Sequence, residues 1–161
     1  MKKITFFLLA ATAFAWVACN FSAGTNKDLS TGLSYTYNGF TVSEVVLAGP
    51  DNTAMSNNEV ELNTTVAIVV QGLANYTLKD DKAFPGMMLS VTDKQGAAVI
   101  DEADLFAGGE GYSATDAAIL RGTVTVGDPM VSGETYHVKM RIWDKNKPEN
   151  ELTAEVDLVV K

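Results

Sequence analysis

Two residue types that often carry chemistry occur in this chain of 161 residues only once each, a histidine and a cysteine. His137 alternates with Lys139 and Arg141, so we expect it on the solvated face of a strand. A catalytic triad needs a nucleophile, a base and an orienting carboxylate within hydrogen-bond reach. Since no serine stands in a Gly-x-Ser-x-Gly turn, we predict no catalytic residue and no enzymatic activity.

The cysteine, Cys19, directly follows an apolar run. Residues 4–18 are apolar except for Thr5 and Thr12, and two lysines precede them. The run is shorter than the roughly 20 residues that a helix needs to cross a bilayer. It therefore predicts a signal peptide over residues 1–18. Ordinary signal-peptidase cleavage after Ala15 is the alternative, and it would leave Cys19 as a free thiol.

The sequence Trp16-Val17-Ala18-Cys19 resembles the lipobox of bacterial, Bacteroidetes-like outer-membrane lipoproteins, in which a small residue precedes an acylated cysteine. The resemblance implies that Cys19 is lipidated and that the membrane is a partner through this anchor. Asn20 stands where the Asp that retains lipoproteins in the inner membrane would stand, which favours the outer membrane. Whether the protein faces the periplasm or the cell surface stays open.

Charge and cysteine content limit the other partners. Removal of residues 1–18 takes away two of the 12 basic residues and none of the 20 acidic ones, which leaves a net charge of about −10. Such a surface repels phosphate backbones, so no nucleic-acid partner is expected. One cysteine allows no intramolecular disulfide, and one histidine is too few for a typical zinc site. We predict no cofactor.

Carboxylates suggest calcium more than any other ion. The segments Asp80-Asp81 and Asp101-Glu102-Ala103-Asp104 are dense in acidic residues. Neither has the alternating spacing, with a following Gly and a later Glu, that calcium loops use. Solvated turns are therefore expected and no metal site is predicted, although a site shared by two loops stays open. The Gly-rich residues 107–112 lack the Lys-Ser/Thr of a phosphate loop.

Short runs of alternating apolar and polar residues recur from residue 35 to residue 161, separated by turn residues. This pattern predicts an antiparallel β-sandwich over residues 35–161. Residues 19–34 begin with the cysteine whose lipidation the lipobox resemblance implies, and their richness in Ser, Thr, Asn and Gly predicts a flexible tether. The segment from Ser113 to Asp116 has the composition of a helix start, which predicts one short helical turn.

The last two runs predict a hairpin folded about Pro148. In that register Arg141 is expected opposite Glu155, and Lys139 opposite Asp157. The segment Gly133-Glu134-Thr135-Tyr136 at the entry to this hairpin is similar to the tyrosine corner of immunoglobulin-like domains.

The order of runs, the corner and the hairpin together resemble bacterial immunoglobulin-like or fibronectin-type lipoprotein domains over residues 36–161. The resemblance implies an all-β fold, an immunoglobulin-like antiparallel β-sandwich of about seven strands, rather than an activity. Exposed edge strands leave pairing between copies open.

In such a topology the loops over residues 73–85, 106–112 and 144–150 would gather at one end. Aromatic rings there offer rigid contact area, and acidic groups can bind hydroxyls. The candidate binding residues are Tyr76, Asp80, Asp81, Tyr112, Trp143 and Asp144. The expected function is that of a non-enzymatic, membrane-anchored envelope lipoprotein that acts as an interaction or accessory module. The alternative is a carbohydrate-binding sandwich of a glycan-uptake system.

Overall fold

The strands form two antiparallel sheets. The computed structural model describes residues 22–161. The elements in chain order are β1 (Ala23–Lys27), β2 (Ser34–Asn38), β3 (Glu44–Ala48), β4 (Glu59–Val60), β5 (Thr64–Gln71), β6 (Pro85–Thr92), β7 (Ala98–Glu102), a 3-10 turn (Asp116–Ala118), β8 (Ile119–Val126), β9 (Thr135–Asp144) and β10 (Lys147–Val160). No helix within this described part of the chain is long and apolar enough to cross a membrane.

The sheet order is that of an immunoglobulin-like sandwich. The larger sheet runs β1-β2-β10-β9-β6-β7, and the smaller runs β3-β5-β8. The short β4 pairs in parallel with the end of β10. Seven strands, β3 and β5 to β10, make the frame of three strands facing four that immunoglobulin-like domains share. The predicted all-β sandwich is therefore confirmed, with β1, β2 and β4 added to it.

Alternating side chains explain why these segments become strands. In β8 and β9 every second residue is buried, because one face of each strand lies against the other sheet. The core between the sheets is aliphatic, with Ile68, Leu89 and Met140 each at most 3% exposed. Each such side chain contributes about 1.5–3 kcal/mol when it is fully buried.

The prediction of a tether to Ser34 is wrong from Ala23 onward. Residues 23–27 form β1, which pairs with β2, and β2 pairs in turn with β10. The physical reason is that β10 is 14 residues long and offers its unpaired edge to a further strand. Residues 23–34 therefore belong to the folded domain, which was expected to start at residue 35. The predicted signal peptide, Cys19 and the residues up to Phe21 lie outside the described part of the chain.

The predicted register of the last hairpin is wrong by two residues. Lys139 lies opposite Glu155, and Arg141 lies opposite Thr153. A two-residue turn joins Asp144 to Lys147, and the pairing shifts before Glu151. Because side chains alternate with a period of two, a slip by two residues keeps every apolar side chain on the same face. The turn decides between the two registers, and the apolar pattern does not.

Two local predictions are confirmed. The backbone N–H of Val131 donates to the hydroxyl oxygen of Tyr136 at 3.0 Å, which is the tyrosine corner. The hydroxyl oxygen of Ser113 accepts the N–H of Asp116 at 3.0 Å at the start of the 3-10 turn. The helical turn is only three residues long, because β8 begins at Ile119.

Candidate functional site

Four segments meet at one end of the sandwich, which we call the loop end: residues 39–43, 72–84, 103–118 and 145–150, the last of which includes the start of β10. Lys145 lies at the centre of the contacts between them. Its backbone N–H donates to the carbonyl of Phe84 at 2.8 Å, and its Nζ donates to the carbonyl of Phe106 at 2.6 Å. Its Nζ also forms an ion pair with Asp104 at 2.7 Å. The structure therefore brings together the two loops that carry the other candidate binding residues and the end of β9 that carries Trp143 and Asp144.

Asp144 is not accessible to a ligand, because the residue is 0% exposed. Its two carboxylate oxygens accept the backbone N–H groups of Thr77 at 2.6 Å and Asn146 at 2.9 Å. The sequence contained a signal for this burial. Asp144 continues the even-numbered series of β9, whose members Tyr136 to Ile142 all face the core.

Tyr76 is also committed to internal contacts. Its ring meets the ring of Phe40 edge-on, with centroids 4.9 Å apart. Its hydroxyl donates to the carbonyl of Ala117 at 3.3 Å. Burial raises the pKa of the Tyr76 hydroxyl, and the nearby negative charge of Asp144 adds to the effect. Tyr76 therefore connects two loops to the core and offers little surface to a partner.

Trp143 lies half-buried on the outer face of the larger sheet. It pairs across the strands with Gly86, and a methyl group at Gly86 would collide with the indole ring. The guanidinium carbon of Arg141 lies 5.1 Å from the indole centroid, within the range of a cation–π contact. The ring is therefore held between a glycine and an arginine of its own sheet.

Asp80, Asp81 and Tyr112 are the most accessible candidates. Asp80 and Asp81 form the tip of a tight turn with φ values of 51° and 58°, and both are exposed. Tyr112 is 36% exposed, and its ring meets that of Phe106 edge-on at 5.4 Å. Backbone hydrogen bonds in both directions join Tyr112 to Ala83 at 2.8 Å. Asp80 and Asp81 lie on one loop, and Tyr112 lies on another.

The acidic segment that ends in Asp104 has an internal role. The Asp104 carboxylate accepts the N–H groups of Met87 at 3.1 Å and Phe106 at 2.9 Å, besides its ion pair with Lys145. Partial burial acts to raise the pKa of Asp104, but the hydrogen bond from Lys145 and the two N–H donors outweigh it, and the pKa is lowered. Within residues 22–161 no group of three His, Cys, Asp or Glu side chains is arranged to hold a metal ion.

His137 lies away from the loop end, on the outer face of the larger sheet. Its Nδ1 is 2.8 Å from the Asp157 carboxylate, and its Nε2 is 4.0 Å from Glu155. Its side chain is 43% exposed. The placement is that of a solvated strand histidine in a row of cross-strand polar contacts, which also includes the ion pair of Lys139 with Glu155 at 2.8 Å.

A shallow hollow of about 460 Å³ lies in the long connection between β3 and β4. All of its lining comes from residues 49–57. The one ionisable group there, Asp51, accepts hydrogen bonds from the N–H and hydroxyl of Thr53, and these lower its pKa. A single carboxylate satisfied by its own loop has no second titratable group to work with as acid or base.

The entry of β1 at the loop end was not predicted from the sequence. The carbonyl of Ser22 accepts the N–H of Gly39 at 2.7 Å. Gly39 lies against Asn150, a buried residue whose amide donates to the carbonyl of Asn75 at 2.8 Å. The start of the described chain is therefore held among the loops that also carry the candidate binding residues.

No family model matches the chain, and a search of curated proteins finds no significant match.

Proposed function

We propose that the protein is a non-enzymatic, membrane-anchored envelope lipoprotein whose sandwich acts as an interaction or accessory module. One observation carries the proposal. The only cysteine of the chain directly follows the apolar run and Ala18, and it precedes the folded domain by a few residues. Each buried CH₂ of an acyl chain contributes about 0.8 kcal/mol, so several chains on Cys19 would hold the protein stably in the outer membrane.

The chemistry available in the described residues supports a role without catalysis. The only histidine is solvated and paired with carboxylates on an open sheet face. The hollow beside β3 holds a single carboxylate. A general acid and base, or a nucleophile and base, need to face one another across a space that a substrate can occupy. Asp51 has no such partner in its hollow, and in the hollow of about 280 Å³ beside His137 the imidazole contacts Asp157 directly at 2.8 Å.

The partner classes that fit are the membrane itself, through Cys19, and a protein or glycan in the envelope. The acidic surface opposes nucleic acid. The carbohydrate-binding alternative has less support, because Tyr76 and Asp144 are used inside the domain and Trp143 lies between Gly86 and Arg141.

The proposal is tested by expressing the full chain and its Cys19→Ser variant in a Gram-negative host and comparing membrane fractions and intact masses. The wild-type protein is expected in the membrane fraction, beginning at Cys19 and heavier than its polypeptide by the acyl chains. The Cys19→Ser variant is expected to leave the membrane fraction while keeping its β-sheet circular dichroism spectrum.

The matched control is Ser22→Ala, which changes a nearby side chain but keeps the cysteine and the backbone carbonyl that accepts from Gly39. It is expected to behave as the wild type does. A wild-type protein that begins at residue 16, with a titratable thiol and no added mass, would contradict the proposal in favour of ordinary signal-peptidase cleavage.

A further inference from the structure

The chain enters the sandwich at the loop end, and its direction there is fixed by β1. β1 runs from Ala23, opposite Asn38, to Lys27, opposite Ser34. Asn38 in turn lies opposite Glu151, beside the turn that joins β9 and β10. Ser22, which directly precedes β1, therefore lies at the loop end. The turn between β1 and β2 lies at the opposite end, with the C-terminal end of β10.

The connection from Cys19 to the fold is short. Three Cα–Cα steps separate Cys19 from Ser22, which is already hydrogen-bonded to Gly39. Whatever conformation these residues adopt, they span at most about 11 Å. The headgroup layer on each side of a bilayer is roughly 5–8 Å thick, so an acylated Cys19 leaves almost no gap between this end of the domain and the lipid.

We propose that the loop end is the membrane-facing surface of the protein and rests on the headgroup region of the bilayer that holds Cys19. This inference rests on the proposed lipid anchor. The occupant of the surface is the bilayer itself, and a protein or glycan partner must approach the sheet faces or the opposite end.

The side chains at this end suit a lipid interface. Leu78 is 47% exposed, Leu105 is 46% exposed and Tyr112 is 36% exposed. Aliphatic and tyrosine side chains are favourable at the boundary between headgroups and acyl chains. The charged residues are of both signs, with Lys79 and Lys82 flanking Asp80 and Asp81, so an anionic lipid is not required.

The experiment uses the lipidated mature chain, in which Trp143 is the only tryptophan. In a Trp143→Phe background, one tryptophan is introduced at Leu78, at the loop end, or at Leu29, which is 88% exposed in the turn between β1 and β2. Both proteins are reconstituted into neutral phosphatidylcholine vesicles whose acyl chains carry bromine. Fluorescence is compared with that in vesicles without bromine, and flotation with the vesicles is measured on the same samples.

The protein with Leu78→Trp is expected to lose fluorescence in brominated vesicles, and the protein with Leu29→Trp is expected to keep it. A flexible Gly-Ser spacer of about 15 residues inserted between Asn20 and Phe21 reaches roughly 20 Å. It is expected to restore the fluorescence of Leu78→Trp without changing flotation.

Two failures are distinguishable. Proteins that do not float with the vesicles contradict the lipid anchor, and with it the proposed function. Proteins that float but show equal quenching at both positions, or stronger quenching at Leu29→Trp, overturn the membrane-facing loop end and leave the anchor intact.

Discussion

The carboxylate of Asp144 accepts the backbone N–H of Thr77 at 2.6 Å, although 67 residues separate the two in the chain. The same side chain accepts the N–H of Asn146, while the amide of Asn146 donates to the carbonyl of Thr77 at 2.8 Å. One buried acidic residue thus joins the connection between β5 and β6 to the turn of the last hairpin. The loop end is held in place by this internal contact.

Replacement of Asp144 by Ala should destabilise the domain. The change leaves the partly buried backbone N–H groups of Thr77 and Asn146 without their acceptor, and each such loss costs up to about 1–3 kcal/mol. We expect the free energy of unfolding in urea to fall by about 2–4 kcal/mol. Glu110→Ala, at an exposed residue of the same end, should change it by less than about 0.5 kcal/mol. Equal effects of the two substitutions would contradict the structural role of Asp144.

Replacement of Tyr136 by Phe tests the tyrosine corner. The ring stays buried, and only the hydrogen bond from the N–H of Val131 is lost. The expected decrease in the free energy of unfolding is about 0.5–1.5 kcal/mol. Tyr112→Phe, at a side chain that is 36% exposed, is the matched control and should be close to neutral. Hydrogen exchange at the Val131 amide should be faster in Tyr136→Phe and unchanged in Tyr112→Phe, which would show that the lost stability comes from this hydrogen bond.

The apolar pattern of the sequence predicted the sandwich because most of its strands bury one face. It failed for β1, whose residues are mainly small or polar. That strand is held by backbone pairing with β2, and its Gly24 gives room to the ring of Tyr37. Backbone pairing does not require alternating apolar residues, so the hydrophobic pattern gave no indication of β1. The segment over residues 19–34 was therefore expected to be a tether.

The sequence predicted the position of the candidate site but not the exposure of most of its side chains. The topology of the sandwich placed the loops of Tyr76, Tyr112 and Asp144 at one end, and they do meet there. Which side chains reach the surface depends on hydrogen bonds between loops, and these cannot be derived from spacing along the chain. For Trp143 and Asp144, which both lie on β9, the alternation of that strand contained the answer.

Trp143 and Gly86 form a pair whose energy can be measured directly. A methyl group at Gly86 would overlap the indole ring, so Gly86→Ala should force the ring to move and cost about 1–3 kcal/mol. In a Trp143→Ala background the same substitution should cost much less, because the collision is gone. A double-mutant cycle followed by urea unfolding gives the coupling energy. Additive effects would show that the ring does not lie over Gly86.

The stability of the turn between β1 and β2 should depend on pH because of the Asp28 carboxylate. Its carboxylate accepts the hydroxyl of Ser30 at 2.6 Å, the hydroxyl of Thr31 at 2.6 Å and the N–H of Ser30 at 2.9 Å. These hydrogen bonds lower the pKa of Asp28 from its usual 3.8 to about 2, and the bond from the Ser30 hydroxyl has the largest effect. Because the folded state holds the proton less tightly than the unfolded state, the stabilisation is complete above the unfolded pKa. It is lost as the pH falls towards the folded pKa.

The variant Asp28→Asn removes the titrating group and keeps the shape of the side chain. Its melting temperature should lie below that of the wild type at pH 5 to 7, and the difference should shrink as the pH falls from about 4 to about 2. Glu149→Gln, which removes an exposed carboxylate at the loop end, serves as the control and should keep the melting temperature of the wild type at pH 5 to 7. A difference between Asp28→Asn and the wild type that stays constant down to about pH 2 would mean that the hydrogen bonds of Asp28 do not favour its charged form.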